Sequence, residues 1–274
     1  MLNALALDLD GTVLNSHHQI SAYLKKTVTE IAKKYPVFIV TGRHHAAARP
    51  YHQQLGLTTP IICCNGTYAY NYAKDEAFLA NPINREHALM LYEHLISHAL
   101  KTVVYTRDYM AFDNKNPPDY IQSLIAWAAT NAQEYDIIRG LDDLRQEILN
   151  HAYIWKMVVE GDGVEAIMQD SDINQYFVCE QSWHNRFDIS AIGNTKGSAL
   201  VKLLAELDLS DKKVVAVGDN YNDISMFKVA EHSIAMANAA ANVKAHSISV
   251  TEKSNDDDNS LADTLASLFL SGAK

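Results

Sequence analysis

Two aspartates, Asp8 and Asp10, lie close together near the N-terminus, directly after the apolar run Ala4 to Leu7. On a strand, side chains two residues apart point the same way, so we expect these carboxylates to share one face. Close carboxylates repel each other unless a cation or a shared proton lies between them. Magnesium suits an all-oxygen site and also binds phosphate oxygens, so one carboxylate could attack phosphorus while the other transfers a proton. An acidic turn that closes a strand is the structural alternative.

A second acidic segment, Gly218-Asp219-Asn220-Tyr221-Asn222-Asp223, follows the apolar run Val214 to Val217. Oxygen-bearing side chains packed this densely after a buried strand are unfavourable unless something compensates their charge. The segment is therefore interpreted as the other half of a metal site. A turn rich in Asn and Asp, with no ligand, is the alternative.

Two further polar segments could hold a phosphate group. Thr41-Gly42-Arg43 follows the apolar run Val37 to Val40, and a hydroxyl with backbone amides at a helix start is a common phosphate-binding arrangement. In Asn194-Thr195-Lys196-Gly197, a lysine near a helix start could neutralise phosphate charge. An ordinary helix N-cap and a solvated lysine are the respective alternatives.

Short, continuous apolar runs predict strands that are buried on both faces. They are Ala4 to Leu7, Val37 to Val40, Ile61 to Cys64, Val214 to Val217, Ile234 to Met236 and Ile248 to Val250. Segments with helical spacing, such as Ala22 to Lys34 and Gly197 to Leu207, lie between them. The alternation predicts an α/β fold with a Rossmann-like, doubly wound parallel sheet, whose carboxyl edge is where such folds bind ligands.

The middle of the chain differs from its two ends. It contains all three tryptophans and the Pro117-Pro118 break, and its helix-like and strand-like segments predict a separate α+β module. We expect a catalytic core formed by residues 1–82 and 188–274, with an inserted α+β cap domain at residues 83–187.

Composition limits the classes of partner and compartment. The formal net charge of −10 disfavours nucleic acid and anionic membranes as partners, and no apolar stretch is long enough to span a membrane. Three cysteines form no disulfide framework, and the N-terminus has no basic leader. These features favour a cytoplasmic protein that acts on a small phosphorylated metabolite, and they leave the oligomeric state open. Cys63 and Cys64 are expected to be buried thiols.

In order and placement, the four polar segments and Asn65-Gly66 resemble the motifs of Cof-type phosphatases of the haloacid dehalogenase superfamily. The resemblance covers nearly the whole chain. The segment from Ile62 to Tyr68 and the segment from Gly218 to Met226 are also similar to those of a family member that dephosphorylates pyridoxal phosphate. One departure is Ala237, in Met236-Ala237-Asn238-Ala239, where the family usually has glycine.

The resemblance implies a role for each matching residue. Asp8 would be the nucleophile and a Mg²⁺ ligand, and Asp10 would be the general acid and base, with its backbone carbonyl on the metal. Asp219 would complete the protein ligands, and Asp223 would orient Lys196. The phosphoryl oxygens would be held by the backbone of Leu9 together with Thr41, Gly42, Lys196 and Asn222.

These roles predict Mg²⁺-dependent hydrolysis of small phosphate monoesters through an aspartyl phosphate, with pyridoxal 5′-phosphate or sugar phosphates as substrates. Phosphoryl transfer to a second substrate, as in mutases, and a catalytically silent phosphate-binding regulator are the alternatives. Substrate selection could involve Trp155, Lys156 and Trp183 of the cap, with His44 and His45 of the core. Tryptophans that pack the interior of the cap are an equally good interpretation.

Overall fold

The computed structural model describes residues 2–131 and 137–271. The first elements are strand β1 (Ala4–Leu7), helix α1 (Ala22–Ala32), β2 (Val37–Ile39), α2 (His45–Gln54), β3 (Ile61–Cys63), β4 (Tyr68–Asn71) and β5 (Glu76–Phe78). Next come β6 (Ile83–Asn84), α3 (Arg85–Ser97), β7 (Lys101–Tyr105), β8 (Met110–Asp113), α4 (Ile121–Asn131), β9 (Ile138–Leu141), α5 (Leu144–Asn150), β10 (Tyr153–Ile154), β11 (Lys156–Glu160), α6 (Val164–Met168), α7 (Ser171–Asn174), β12 (Phe177–Trp183) and β13 (Arg186–Ala191). The last are α8 (Lys196–Glu206), β14 (Val214–Gly218), α9 (Ile224–Val229), β15 (His232–Ala235), α10 (Ala241–Lys244), β16 (Ser249–Val250) and α11 (Ser260–Phe269). Within this described part of the chain, no helix is both long enough and apolar enough to cross a membrane.

The chain folds into two compact units. Unit 1 contains Met1–Arg43, Ala48–Leu79 and Thr195–Lys274, and unit 2 contains His44–Ala47 and Ala80–Asn194. The boundary expected between residues 187 and 188 falls inside β13, which pairs with β11 and β12 within unit 2.

Unit 1 is built around a five-stranded sheet with the strand order β16-β15-β14-β1-β2. All neighbouring strands pair in parallel, and Leu7 of β1 lies opposite Val217 on one side and Ile39 on the other. The central strands are fully buried, which explains their continuous apolar sequences. Helices α1 and α8 each bury one apolar face. This α/β architecture with a parallel central sheet confirms the predicted fold class.

Strand β3 differs from the other predicted strands, because it is not a full member of the parallel sheet. It pairs antiparallel with β4 in a separate three-stranded sheet, and only the bridge between Val40 and Ile62 is parallel. Its apolar run reflects burial, which a continuous run indicates without giving strand direction. Cys63 and Cys64 are fully buried thiols that form no disulfide, as predicted, and burial raises the pKa of Cys63.

Unit 2 contains a six-stranded sheet with the order β12-β13-β11-β7-β8-β9. Every pair in it is antiparallel except β8 with β9. Met157 and Val159 of β11 lie in one buried apolar cluster with Leu91 and Leu95 of α3. One face of the sheet is therefore covered by helices, which gives this unit its own core.

Candidate active site

A buried ion cluster lies in unit 1 where β1 and β14 end. The backbone N–H of Asp8, the residue after β1, donates to the carbonyl oxygen of Val217 at 3.0 Å. Lys196 Nζ donates to Asp8 Oδ1 at 2.7 Å and to Asp223 Oδ1 at 2.6 Å. The Lys196 side chain is only 1% exposed, which excludes the alternative of a solvated lysine.

The start of α8 positions Lys196 in this cluster. Thr195 is the N-cap: its side chain accepts the N–H of Ser198 at 3.0 Å, and Ser198 Oγ accepts the N–H of Thr195 at 3.2 Å. A Cβ on Gly197 would lie 2.1 Å from the carbonyl oxygen of Ser225, so glycine is required for α8 to approach α9 this closely. The capping box and the glycine together fix the first turn of α8.

Asp223 holds the loop that follows β14 through hydrogen bonds to its backbone. It is fully buried, and its Oδ2 accepts the backbone N–H groups of Asp219 at 2.9 Å and Asn220 at 3.0 Å. Its other carboxylate oxygen accepts from Lys196. Because both oxygens are engaged, Asp223 orients the loop and the lysine and is not a free ligand.

The carboxylate cluster could hold a metal ion. One carboxylate oxygen from each of Asp8, Asp219 and Asp223 lies within 4.8 Å of the others. Burial, with repulsion from neighbouring carboxylates, raises the pKa of Asp8 well above its usual range and the pKa of Asp219 to about 7. Burial acts to lower the pKa of Lys196, but the carboxylates outweigh it and raise that pKa, so the lysine stays protonated. One ammonium group leaves this cluster with surplus negative charge, which a bound cation would neutralise.

Asp10 pairs with Arg43 outside this cluster. Because β1 ends at Leu7, strand alternation does not set the directions of Asp8 and Asp10. Arg43 Nε and Nη2 donate to the two carboxylate oxygens of Asp10 at 2.7 and 2.5 Å, and its guanidinium lies 5.0 Å over the ring of Tyr51. Desolvation by the neighbouring protein groups acts to raise the pKa of Asp10, but the charge and hydrogen bonds of Arg43 outweigh it and lower the pKa. The Asp10 side chain, which is 48% exposed, is therefore an ionised carboxylate in this structure.

Thr41 and Gly42 lie beside two asparagine side chains. Asn222 Nδ2 donates to Asn65 Oδ1 at 3.1 Å, and a Cβ on Gly42 would lie 2.8 Å from that same oxygen. Asn222 Oδ1 is buried and has no hydrogen-bond partner among the residues that the structure describes. Thr41 Oγ1 accepts the backbone N–H of Arg43 at 3.1 Å. Such a polar lining, with glycine allowing close approach, could hold the oxygens of a phosphoryl group.

The turn that carries Asn65 also packs against the start of α8. Asn65 and Gly66 have φ values of 57° and 97°, and a Cβ on Gly66 would lie 2.3 Å from the carbonyl oxygen of Thr195. Asparagine and glycine are the residues that adopt this left-handed backbone most readily. The turn therefore packs against the residue that precedes Lys196.

The predicted site residues fall into three groups within unit 1. Asp8, Asp219 and Lys196 share the ion cluster with Asp223. Thr41, Gly42 and Asn222 surround Asn65. Asp10 is paired with Arg43, and the buried Leu9 lies between the two aspartates in the chain.

Comparison with known proteins gives the family. The family model for haloacid dehalogenase-like hydrolases matches residues 5–265. The chain belongs to the haloacid dehalogenase-like hydrolase family. Among curated relatives, the pyridoxal phosphate phosphatase of Escherichia coli (strain K12) is 35% identical over 252 residues, which cover 88% of this chain and 90% of that protein. The 5-amino-6-(5-phospho-D-ribitylamino)uracil phosphatase YwtE of Bacillus subtilis is 26% identical over 275 residues, which cover 93% of this chain and 94% of that protein.

Solved structures agree with this assignment. A haloacid dehalogenase-like hydrolase from Bacteroides thetaiotaomicron superposes with a TM-score of 0.83 at 25% identity, over 98% of this chain and all of that chain (100%). The predicted resemblance to the family is confirmed, and the chain is a phosphatase of the haloacid dehalogenase-like family.

The residues considered for substrate selection in this hydrolase lie in unit 2 and differ in exposure. Trp155 is buried, whereas Trp183 is 61% exposed. Lys156 is also buried; its Nζ donates to Asp188 Oδ2 at 2.5 Å and lies 4.6 Å over the ring of Tyr105. The packing interpretation therefore describes Trp155, whereas Trp183 offers a largely exposed aromatic surface.

His44 and His45 are both buried and lie against each other, with ring centroids 4.2 Å apart. His44 Nε2 lies 3.2 Å from the carbonyl oxygens of Thr106 and Arg107, where it can donate a hydrogen bond. Burial lowers the pKa of His44 to about 4, so this ring is neutral at pH 7. The contacts describe a structural histidine.

The sequence did not assign functional roles to two asparagines that lie at the site. Asn65 belongs to a recognised motif, but its bond to Asn222 depends on a left-handed turn that sequence spacing does not reveal. Asn238 Nδ2 donates to Asp219 Oδ2 at 3.2 Å. The signal for Asn238 was present, because it follows an apolar strand as the other site residues do.

Proposed function

We propose that this phosphatase hydrolyses small phosphate monoesters with Mg²⁺, through a covalent aspartyl phosphate on Asp8. The observation that carries the proposal is the buried Asp8, which contacts Lys196 at 2.7 Å and lies within 4.8 Å of Asp219 and Asp223. A nucleophilic carboxylate beside a lysine and further carboxylates suits attack on phosphorus in the presence of a divalent cation.

The donor set fits Mg²⁺. All candidate ligands are oxygen atoms, from carboxylates and one backbone carbonyl, and this hard cation prefers oxygen. Burial and neighbouring carboxylates raise the pKa values of Asp8 and Asp219, so Lys196 alone does not balance the charge of the fully ionised cluster. We assign Asp8 and Asp219 as side-chain ligands, with the backbone carbonyl of Asp10 as the third protein ligand. When bound, Mg²⁺ would neutralise charge on the carboxylates and on the transferring phosphoryl group.

The residues of the chain would then act in sequence. Asp8 attacks phosphorus in line, forming its O–P bond as the bond from phosphorus to the leaving oxygen breaks. Asp10 is ionised beside Arg43 in this structure, so it must first take up a proton from solvent. It then gives that proton to the leaving oxygen and takes one from the water that attacks the aspartyl phosphate. Phosphate leaves and the Asp8 carboxylate is restored. The Lys196 ammonium stabilises charge on the phosphoryl oxygens throughout.

The phosphoryl group would be held by the lining already described. We assign Thr41, Gly42, Asn222 and Lys196 to its oxygens, together with the backbone of Leu9. Asn222 uses one amide proton on Asn65, which leaves its second proton for a phosphoryl oxygen. The bond to Asn65 thus restricts the Asn222 rotamer before substrate binds.

The covalent step is tested with paired variants. Asp8→Asn should lower kcat for p-nitrophenyl phosphate by roughly 10³-fold or more, whereas Asp211→Asn, an exposed control, should keep the parental rate. Asp10→Ala should accumulate a phosphoryl adduct on the Asp8 peptide after acid quench, because its water-activating base is missing. An Asp8→Asn enzyme as active as the parent would refute the mechanism.

The substrate is proposed to be pyridoxal 5′-phosphate, with sugar phosphates next. Support comes from the Escherichia coli relative, which is a pyridoxal phosphate phosphatase and is 35% identical over 88% of this chain. We infer that unit 2 acts as the cap that selects the substrate. The test is kcat/KM over a panel of phosphorylated metabolites with and without Mg²⁺. The substrate assignment fails if any sugar phosphate exceeds pyridoxal 5′-phosphate in kcat/KM.

We also propose that the enzyme acts in the cytoplasm and has neither nucleic acid nor a membrane as its partner. The formal net charge of −10 supports this, because polyanions and anionic lipid surfaces would be repelled. Cys63, Cys64 and Cys179 form no disulfide, which suits a reducing compartment. Localisation of a tagged chain by cell fractionation checks the compartment.

A further inference from the structure

The loop after β15 contacts the proposed metal site. Strand β15 pairs in parallel with β14, so its carboxyl end lies at the same sheet edge as Asp219. From this loop, Asn238 Nδ2 donates to the carbonyl oxygen of Gly11 at 2.9 Å and to Asp219 Oδ2 at 3.2 Å. One amide group therefore connects the two segments that would provide the metal ligands.

The orientation of this amide is determined by its other end. Asn238 Oδ1 accepts the backbone N–H of Asn255 at 3.1 Å. A backbone N–H is only a donor, so the oxygen must face it and the NH₂ group must face Asp219. The loop is held in place as well, because the N–H of Ala237 donates to Thr251 Oγ1 at 2.9 Å and its carbonyl oxygen accepts from Lys244 Nζ at 2.6 Å.

Other restraints on the Asp219 carboxylate are weaker or purely steric. Thr12 Oγ1 lies 3.5 Å from Asp219 Oδ1, which is at the limit of a hydrogen bond. A Cβ added to Gly11 would lie 2.2 Å from Asp219 Oδ2, so the backbone of Gly11 packs closely against the Asp219 carboxylate. Asn238 provides the shorter side-chain hydrogen bond to this carboxylate.

We propose that Asn238 is a positioning residue that holds the Asp219 carboxylate in the orientation in which it binds Mg²⁺. The inference rests on the proposed function, in which Asp219 is a metal ligand. Hydrogen bonds to a ligating carboxylate fix its rotamer before the ion arrives, and their loss typically weakens metal affinity by about 10- to 100-fold. The residue sits in the segment where alanine replaces the usual glycine of the family.

The test is Mg²⁺ binding measured by isothermal titration calorimetry on the full chain. Asn238→Ala and the bulkier Asn238→Leu should both weaken the Kd for Mg²⁺ by roughly 10- to 100-fold. Asn242→Ala, an exposed asparagine on α10, is the matched control and should keep the parental Kd. Thr12→Val should weaken binding less than either Asn238 variant, because its contact is longer.

Two further readouts separate positioning from a structural role. With metal removed, the Asn238 variants should unfold at the temperature of the parent. In kinetics they should need more Mg²⁺ for half-maximal rate, and excess Mg²⁺ should restore kcat to within about twofold with unchanged KM for p-nitrophenyl phosphate.

Parental Mg²⁺ affinity in both Asn238 variants overturns the inference. It is also overturned if metal-free stability falls and excess Mg²⁺ does not restore kcat, because the loop is then only structural. If the parent binds no Mg²⁺, the metal assignment fails together with this inference, and that case is recognised by the parental titration alone.

Discussion

Replacing Lys196 by methionine tests the ion cluster most directly. The lysine makes contacts of 2.7 and 2.6 Å with Asp8 and Asp223, and all three side chains are buried. At an effective dielectric constant of about 20, each contact contributes about 6 kcal/mol of Coulomb attraction. Desolvation of the three ions, at several kcal/mol each, offsets much of this. Methionine keeps the volume of the side chain but leaves the carboxylates uncompensated.

The expected loss in the free energy of unfolding is about 3–5 kcal/mol in the metal-free protein. For a chain of this size, that loss lowers Tm by roughly 10 °C. Urea denaturation and calorimetry without Mg²⁺ measure both quantities. Lys202→Met, an exposed lysine on the same helix, is the matched control and should change stability by less than about 0.5 kcal/mol.

The loss caused by Lys196→Met should also depend on pH. Without the ammonium group, the pKa of the Asp8 carboxyl rises further above its unfolded value. The folded variant then holds a proton at pH values where the unfolded chain has none, so its stability falls as pH rises. The loss relative to the parent should therefore be larger near pH 8 than near pH 5. A loss below about 1 kcal/mol, or one independent of pH, would refute the reasoning.

Three other perturbations have defined outcomes. The pKa of Asp219 is raised to about 7, so protons should compete with Mg²⁺ below that pH. The Mg²⁺ affinity measured by calorimetry should decrease as the pH is lowered below about 7, approaching a tenfold decrease per pH unit, and should be constant above it. An affinity that does not change with pH contradicts this. Lysine cannot replace the two hydrogen bonds from Arg43 to Asp10, so Arg43→Lys should misplace the proposed general acid. The kcat should fall roughly tenfold or more for an alkyl phosphate, whose leaving oxygen needs a proton, and less for p-nitrophenyl phosphate. Arg49→Lys is the control and should keep the parental kcat. Ala99 lies two residues after the end of α3 and has a φ of 57°, which glycine adopts more readily than alanine. Ala99→Gly should therefore raise the free energy of unfolding by about 1 kcal/mol in urea denaturation, whereas Ala88→Gly inside the helix should lower it.

The convergence of distant segments was predictable from the sequence. Asp8 and Asp219 each follow a continuous apolar run, and parallel strands end at a common edge. That rule requires no knowledge of side-chain packing. The same rule applies to Asn238, which follows β15. The departure noted in that segment was Ala237, and no role was predicted for Asn238.

Other features depend on local geometry that spacing does not encode. Asp10 was expected to face the same way as Asp8, but that argument requires the strand to reach Asp10, and β1 ends three residues earlier, at Leu7. Its bidentate pair with Arg43 arises from tertiary packing. Burial and strand direction are likewise independent, which is why the apolar run Ile61 to Cys64 was assigned to the parallel sheet and β3 instead forms an antiparallel sheet.

The pairing of β1 with β14 has a consequence for synthesis of the chain. Lys196 lies 188 residues after Asp8, so the ribosome adds the counter-ion long after the nucleophile. Unit 2, by contrast, has all the strands of its six-stranded sheet by Ala191. Because domains fold as their segments emerge, this sheet can form while β1 has β2 beside it but still lacks β14 on its other side. A nascent chain that stops after β13 therefore carries Asp8 without Lys196, Asp219 and Asp223, so the ion cluster can form only after α8 and β14 have been synthesised.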